Sequence, residues 1–64
     1  MTLEQIKNAV SAGQKVYWSN LAYEVQKDRL GQYHIVCTLN NNCIGLTWAD
    51  GKTLNGEEHQ FFIK

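Results

Sequence analysis

Few residues of this chain are equipped for chemistry. His34 and His59 are its only histidines, Cys37 and Cys43 its only cysteines, and Glu57-Glu58-His59 its one dense group of ionisable side chains. A zinc-type centre needs several such ligands at short spacing. His34 alternates outward between Tyr33 and Ile35, and Cys43 stands across a turn from it with no third ligand, so His34 reads as a solvated strand histidine. The carboxylates and imidazole of Glu57-Glu58-His59 are of the types used for proton transfer, but they follow Asn55-Gly56 and read as an exposed turn. Ser11 falls in a helix and Ser19 in a tight turn, neither in a nucleophile elbow, and the glycines are isolated turn residues rather than a phosphate loop. We therefore assign no catalytic, cofactor-binding or metal-ligating residue and expect a protein that is not an enzyme.

The elements that hold these side chains are short. Sixty-four residues allow one domain, 1–64, whose core must be nearly the whole protein. Six basic and six acidic residues balance to a formal charge of zero without a block of either sign, which argues against a nucleic-acid or anionic-membrane footprint. No apolar run approaches the roughly 20 residues of a membrane span, and no basic stretch followed by an apolar one opens the chain. We expect a soluble, cytoplasmic protein with no membrane partner. A cavity of common ligand size would empty much of so small a core.

Thr2 and Gln5 fit a capping box, and Leu3, Ile6, Ala9 and Val10 then recur at helical spacing, with Gly13 available to end the helix. The spacing predicts a helix over about residues 2–12. From Lys15 the period falls to two, and sheet is expected over about residues 15–63. Gln32 to Trp48 reads as the central hairpin. A two-residue turn at Asn41-Asn42 sets Leu39 against Ile44, Cys37 against Leu46 and Ile35 against Trp48, with every large apolar pair on one face. A Ser19-Asn20 turn pairs Trp18 with Leu21 and Val16 with Tyr23. The Arg29-Leu30-Gly31 turn sets Lys27 against Tyr33, Val25 against Ile35 and Tyr23 against Cys37. Cys37 then faces the core and Cys43 the other side, so both thiols are expected free.

Beyond Trp48, a strict two-residue loop at Asp50-Gly51 opposes Trp48 with Thr53. A longer loop that includes Lys52 improves the packing and is expected. Phe61 and Ile63 alternate with Phe62 and Lys64 in a closing strand whose partner the pattern leaves open. The expected class is α+β, an N-terminal helix followed by an antiparallel meander of about five strands. It forms either a strongly bent sheet with the helix on its apolar face or a small SH3-like barrel.

By parity, the outer face carries Tyr17, Ala22, Glu24, Gln26, His34, Val36, Thr38, Gly45 and Thr47, with Phe62 adjoining. Tyr17, His34, Val36 and Phe62 are the candidate interaction residues, a flat contact for another protein or for a second copy of the chain. Trp18 and Trp48 fall on the core face. Stacking of unpaired bases on Tyr17, Phe62 and His34 is the alternative, and neutral charge without interleaved arginines weighs against it. A small enzyme around His59 and the paired glutamates is the third reading.

Gly13-Gln-Lys-Val-Tyr-Trp-Ser-Asn20, Lys27-Asp-Arg-Leu-Gly31, Gly45-Leu-Thr-Trp-Ala-Asp-Gly51 and Leu54-Asn-Gly-Glu-Glu-His-Gln-Phe-Phe62 resemble short uncharacterised proteins of phages and prophages. The resemblance spans nearly the whole chain and implies a context: a small accessory protein that binds a host or phage component, host defence machinery included. It assigns no residue a role. The layout of a helix before a strand meander is also similar to that of Sm-like RNA-binding barrels, but the acidic and glycine motif and the basic face of that family are missing here.

Overall fold

The computed structural model describes all of residues 1–64. One helix, α1 (Leu3–Ser11), precedes β1 (Val16–Trp18), β2 (Asn20–Lys27), β3 (Tyr33–Cys37) and β4 (Cys43–Gly45); a 3-10 turn (Glu58–Gln60) then leads into β5 (Phe61–Ile63). The strands form one antiparallel sheet in the order β4-β3-β2-β1-β5. The closing strand, left unplaced by the sequence, pairs with β1 through Val16↔Ile63, Tyr17↔Phe62 and Trp18↔Phe61.

The sheet is open, which corrects the barrel alternative. Its edges, β4 and β5, lie at opposite ends, and each is only three residues long. Curling is not needed to shelter the apolar face, because α1 and the segment through Leu46 and Leu54 cover it. Ile6, Ala9, Val16, Val25, Ile35, Leu46 and Phe61 form the buried core, with Leu3, Val10, Trp18 and Leu54 packed around them. Thr2 closes the predicted capping box: its Oγ1 accepts from the Gln5 amide at 3.2 Å while Gln5 Oε1 accepts from the Thr2 amide at 2.9 Å. Tyr33 fastens the helix to the sheet. Its hydroxyl meets Ser11 Oγ at 2.8 Å, and the ammonium groups of Lys7 and Lys27 stand 5.5 and 5.8 Å from its ring centre.

The β2–β3 hairpin has the predicted register at Tyr23↔Cys37, Val25↔Ile35 and Lys27↔Tyr33. Its turn is held by the Asp28 amide donating to the Gln32 carbonyl at 2.8 Å, with Gly31 at φ 84 where an L side chain would be strained. The other two hairpins are corrected. In β1–β2, Val16 opposes Val25 and Trp18 opposes Asn20, with an irregularity between Tyr17 and Trp18 and Ser19 at φ 66. Asn20 Oδ1 accepts from the Ala22 amide at 2.8 Å, so the asparagine makes its own small turn and Leu21 is left exposed.

In β3–β4, Ile35 opposes Ile44 and Val36 opposes Cys43, not Trp48 and Thr47. The asparagine run makes a wider loop than a two-residue turn. The Asn41 amide donates to the Cys37 carbonyl, the Cys37 amide to the Asn42 carbonyl, and Asn40 Oδ1 accepts from the Asn42 amide. Leu39 consequently sits on the loop, 84% exposed, and Trp48 lies beyond the sheet, 63% exposed, where the alternation placed both against the core. Ile44 takes the position opposite Ile35 that was expected of Trp48, and Leu46, two residues on, is the one buried in the core, 1% exposed.

The loop after Trp48 includes Lys52 as expected, but Trp48 stays opposite Thr53 rather than Leu54. The Trp48 amide donates to the Thr53 carbonyl at 2.9 Å and Thr47 bridges Leu54. The Asp50 carboxylate closes that loop by accepting from the Lys52 and Thr53 amides and the Thr53 hydroxyl. Both cysteines are free: Cys37 is half-buried, and Cys43, on the opposite face, is exposed.

Candidate interaction face

Antiparallel pairing sets residues directly opposite one another on the same face. Reading the register across all five strands puts Cys43, Val36, Glu24, Tyr17 and Phe62 in one transverse row on the face away from α1. Tyr17 and Phe62 touch, ring centres 5.9 Å apart and planes tilted by 30°. Tyr17, Glu24, Val36 and Phe62 are half-buried, and α1 packs on β1 and β2 from the other face. An antiparallel sheet with one wet face ordinarily alternates apolar inward and polar outward. Here four of the five outward positions in the row are apolar, aromatic or thiol.

Three of the four candidate residues, Tyr17, Val36 and Phe62, therefore fall in a single row, and β5 pairing against β1 is what brings Phe62 to Tyr17. His34 lies one row along, between Gln26 and Gly45. Its Nε2 is 2.9 Å from Asp28 Oδ2, which ties the imidazole to the β2–β3 turn rather than to the aromatic pair. That bond, with the Gln32 and Leu30 amides, holds the Asp28 carboxyl below its ordinary 3.8. His59 is exposed in the 3-10 turn, its Nδ1 3.3 Å from Glu57 Oε2.

Glu24 belongs to the row and was not among the candidates. The β2–β3 register was legible, and it already placed Glu24 opposite Val36; that was the available signal. The two carboxylate–imidazole pairs use Asp28 and Glu57, and neither they nor any side-chain hydrogen bond engages the Glu24 carboxylate. Lys15, just ahead of β1, and Lys64, just past β5, extend the ladder through the Lys64 amide and the Lys15 carbonyl at 3.5 Å, and by alternation they share the face of Tyr17 and Phe62.

Two surface depressions lie elsewhere. One of about 520 Å³ runs between α1 and β5 beside Met1, Ala9 and Ile63. The other, of about 360 Å³, is bordered by Lys7, Tyr33, His34 and Thr47. No three His, Cys, Asp or Glu side chains stand close enough together to hold a metal ion, and neither serine is bonded to a histidine. No helix is long and apolar enough to cross a membrane. No protein-family model, curated protein or solved structure matches the chain, so the reading of this face rests on its own geometry.

Proposed function

We propose that this chain is a non-enzymatic interaction module, phage-borne, whose open sheet face docks a host or phage protein. The observation that carries the proposal is the uncovered row Phe62, Tyr17, Glu24, Val36 and Cys43 spanning the whole sheet. A stable interface takes about 800 Å² from each partner, close to a fifth of the 4408 Å² this chain exposes. Only a broad face can supply that area, and the molecule measures 27 × 22 × 20 Å. A different protein fits better than a second copy. A two-fold axis that lays the row on its own image sets Glu24 against Glu24, two like charges at the centre of the contact.

The test is affinity capture from lysate of the native host with the wild-type chain and with Tyr17→Asp and Val36→Asp, followed by analysis of the eluate for protein and nucleic acid. A stoichiometric protein partner lost in both variants, whose circular dichroism stays that of the parent, supports the proposal. Capture that neither substitution weakens removes the face. Recovery of nuclease-sensitive nucleic acid in place of protein overturns the proposal in favour of base stacking on Tyr17 and Phe62.

A further inference from the structure

Resting on that reading, we infer that the partner sets an arginine side chain over Glu24 and Tyr17, with apolar groups on either side. Glu24 is the middle residue of the row, half-buried between Tyr17 on β1 and Val36 on β3, and its carboxylate has no partner within the chain. While the face is wet, water solvates that carboxylate. A docked apolar surface would strip the water away, and an unpaired charge inside a contact opposes binding strongly. Any protein that covers the row must therefore return a cation to Glu24. Neither Lys15, which the register sets diagonally across from Glu24, nor Lys64 forms an ion pair with it.

Arginine suits the place better than lysine. Directly beside Glu24 stands Tyr17, in tilted contact with Phe62. A planar guanidinium can lie on an aromatic ring and still present two parallel N–H donors to a carboxylate, whereas an ammonium offers a point charge and no plane. Val36 and Cys43, continuing the row on the other side of Glu24, take aliphatic contact. Lys15 and Lys64, in the next row of the same face, make it hostile to an extended basic surface, so the partner carries one well-placed cation rather than a cationic patch. The same arrangement disfavours nucleic acid, whose phosphates would meet Glu24.

The experiment displays a library of helical hairpins with randomised outward positions and selects it on the immobilised full chain. The inference expects enriched binders that carry an arginine among apolar residues. They lose about tenfold or more in affinity on Glu24→Gln, and the same on changing the binder's arginine to glutamine, which leaves this chain untouched. Arginine-to-lysine in the binder weakens it as well. Selection repeated on Glu24→Lys replaces arginine by acidic residues. Binders that are lost on Tyr17→Asp and Val36→Asp, yet carry no arginine and ignore Glu24→Gln, overturn the inference and leave the docking face standing. Binders that ignore Tyr17, Val36 and Glu24 alike overturn both.

Discussion

The row on the outer face exists only if β4 pairs with β3 so that Ile35 meets Ile44 and Val36 meets Cys43. The competing register, four residues along, brings Trp48 to Ile35 and would put Thr47 beside Val36 instead. Double-mutant cycles separate the two. Ile35 is 1% exposed, and Ile35→Val should destabilise by about 0.5–1.5 kcal/mol. Trp48 is 63% exposed, so roughly 90 Å² of a 250 Å² side chain is covered, and Trp48→Ala should cost at most about 2 kcal/mol. Paired against Ile35 in the core it would cost about 3–5 kcal/mol. Ile44, 47% exposed at the sheet edge, should likewise lose about 1–2 kcal/mol on going to alanine. The coupling energy is the sharper quantity. Residues in contact couple by about 0.5–3 kcal/mol, and separated ones add to within about 0.5 kcal/mol. Urea titrations followed by far-ultraviolet circular dichroism should give coupling for Ile35→Val with Ile44→Ala and additivity for Ile35→Val with Trp48→Ala. Coupling to Trp48 with additivity at Ile44 would refute the register and dissolve the row at Val36.

Three further outcomes follow from local geometry. Asp28 is held below 3.8 by His34 and the Gln32 and Leu30 amides, and Asp50 by the Thr53 and Lys52 amides and the Thr53 hydroxyl. The unfolded chain therefore binds more protons in acid, and the stability these carboxylates contribute is complete above 3.8 and lost as pH falls through their lower folded values. Urea midpoints should drop on acidification through that range, and the drop should shrink in Asp28→Asn with Asp50→Asn. Gly56 stands at φ 150, and a Cβ there would come within 2.6 Å of Trp18 Nε1. Gly56→Ala should break the 3.2 Å bond from Trp18 Nε1 to Gln60 Oε1, shift the tryptophan emission and lower the melting temperature; an unchanged spectrum would count against that packing. Thr2→Ala should cost about 1 kcal/mol through loss of the capping box, read by chemical denaturation.

What was legible in the sequence, and what was not, follows from the period of a strand. The predicted pairing of β1 with β2 is off by two residues at Val16 and Tyr17 and by one at Trp18, past the irregularity, and that of β3 with β4 is off by four. At Val16, Tyr17 and along β3–β4 the shift is even, and an even shift leaves a side chain on its own face. Tyr17 was thus placed on the outer face from a hairpin whose partners were wrong, while His34 and Val36 were placed there by the correctly read β2–β3 hairpin. Cys37 and Cys43 were likewise placed on opposite sides and are free. Only neighbours were lost. Turn closure decides them, and the side chains of Asn20, Asn40 and Asp50 set it by capturing amides two or three residues on. Apolar alternation carries no information about those bonds. It also overvalued bulk: Trp48 was drawn inward because it was large, whereas Ile44 stands opposite Ile35 and Leu46 fills the core beside the strand.

The meeting of Tyr17 with Phe62 is of another kind, since it depends on the return of β5 to β1 across most of the chain length. No hairpin rule reaches that far. The first strand has only two edges, however, and β2 takes one of them. A closing strand with a large apolar residue at every position can bury Phe61 only by joining the sheet with Phe61 and Ile63 turned to the core side, and that leaves Phe62 facing outward wherever it pairs. The outward phenylalanine was therefore determined locally and its companion globally. For the proposed docking face, the apolar character is written in each strand separately, while the position of Glu24 at its centre is a property of the assembled sheet. Insertions that merely lengthen the β4–β5 connection should keep that centre, because the ladder between β1 and β5, not the connection, fixes where Phe62 stands beside Tyr17.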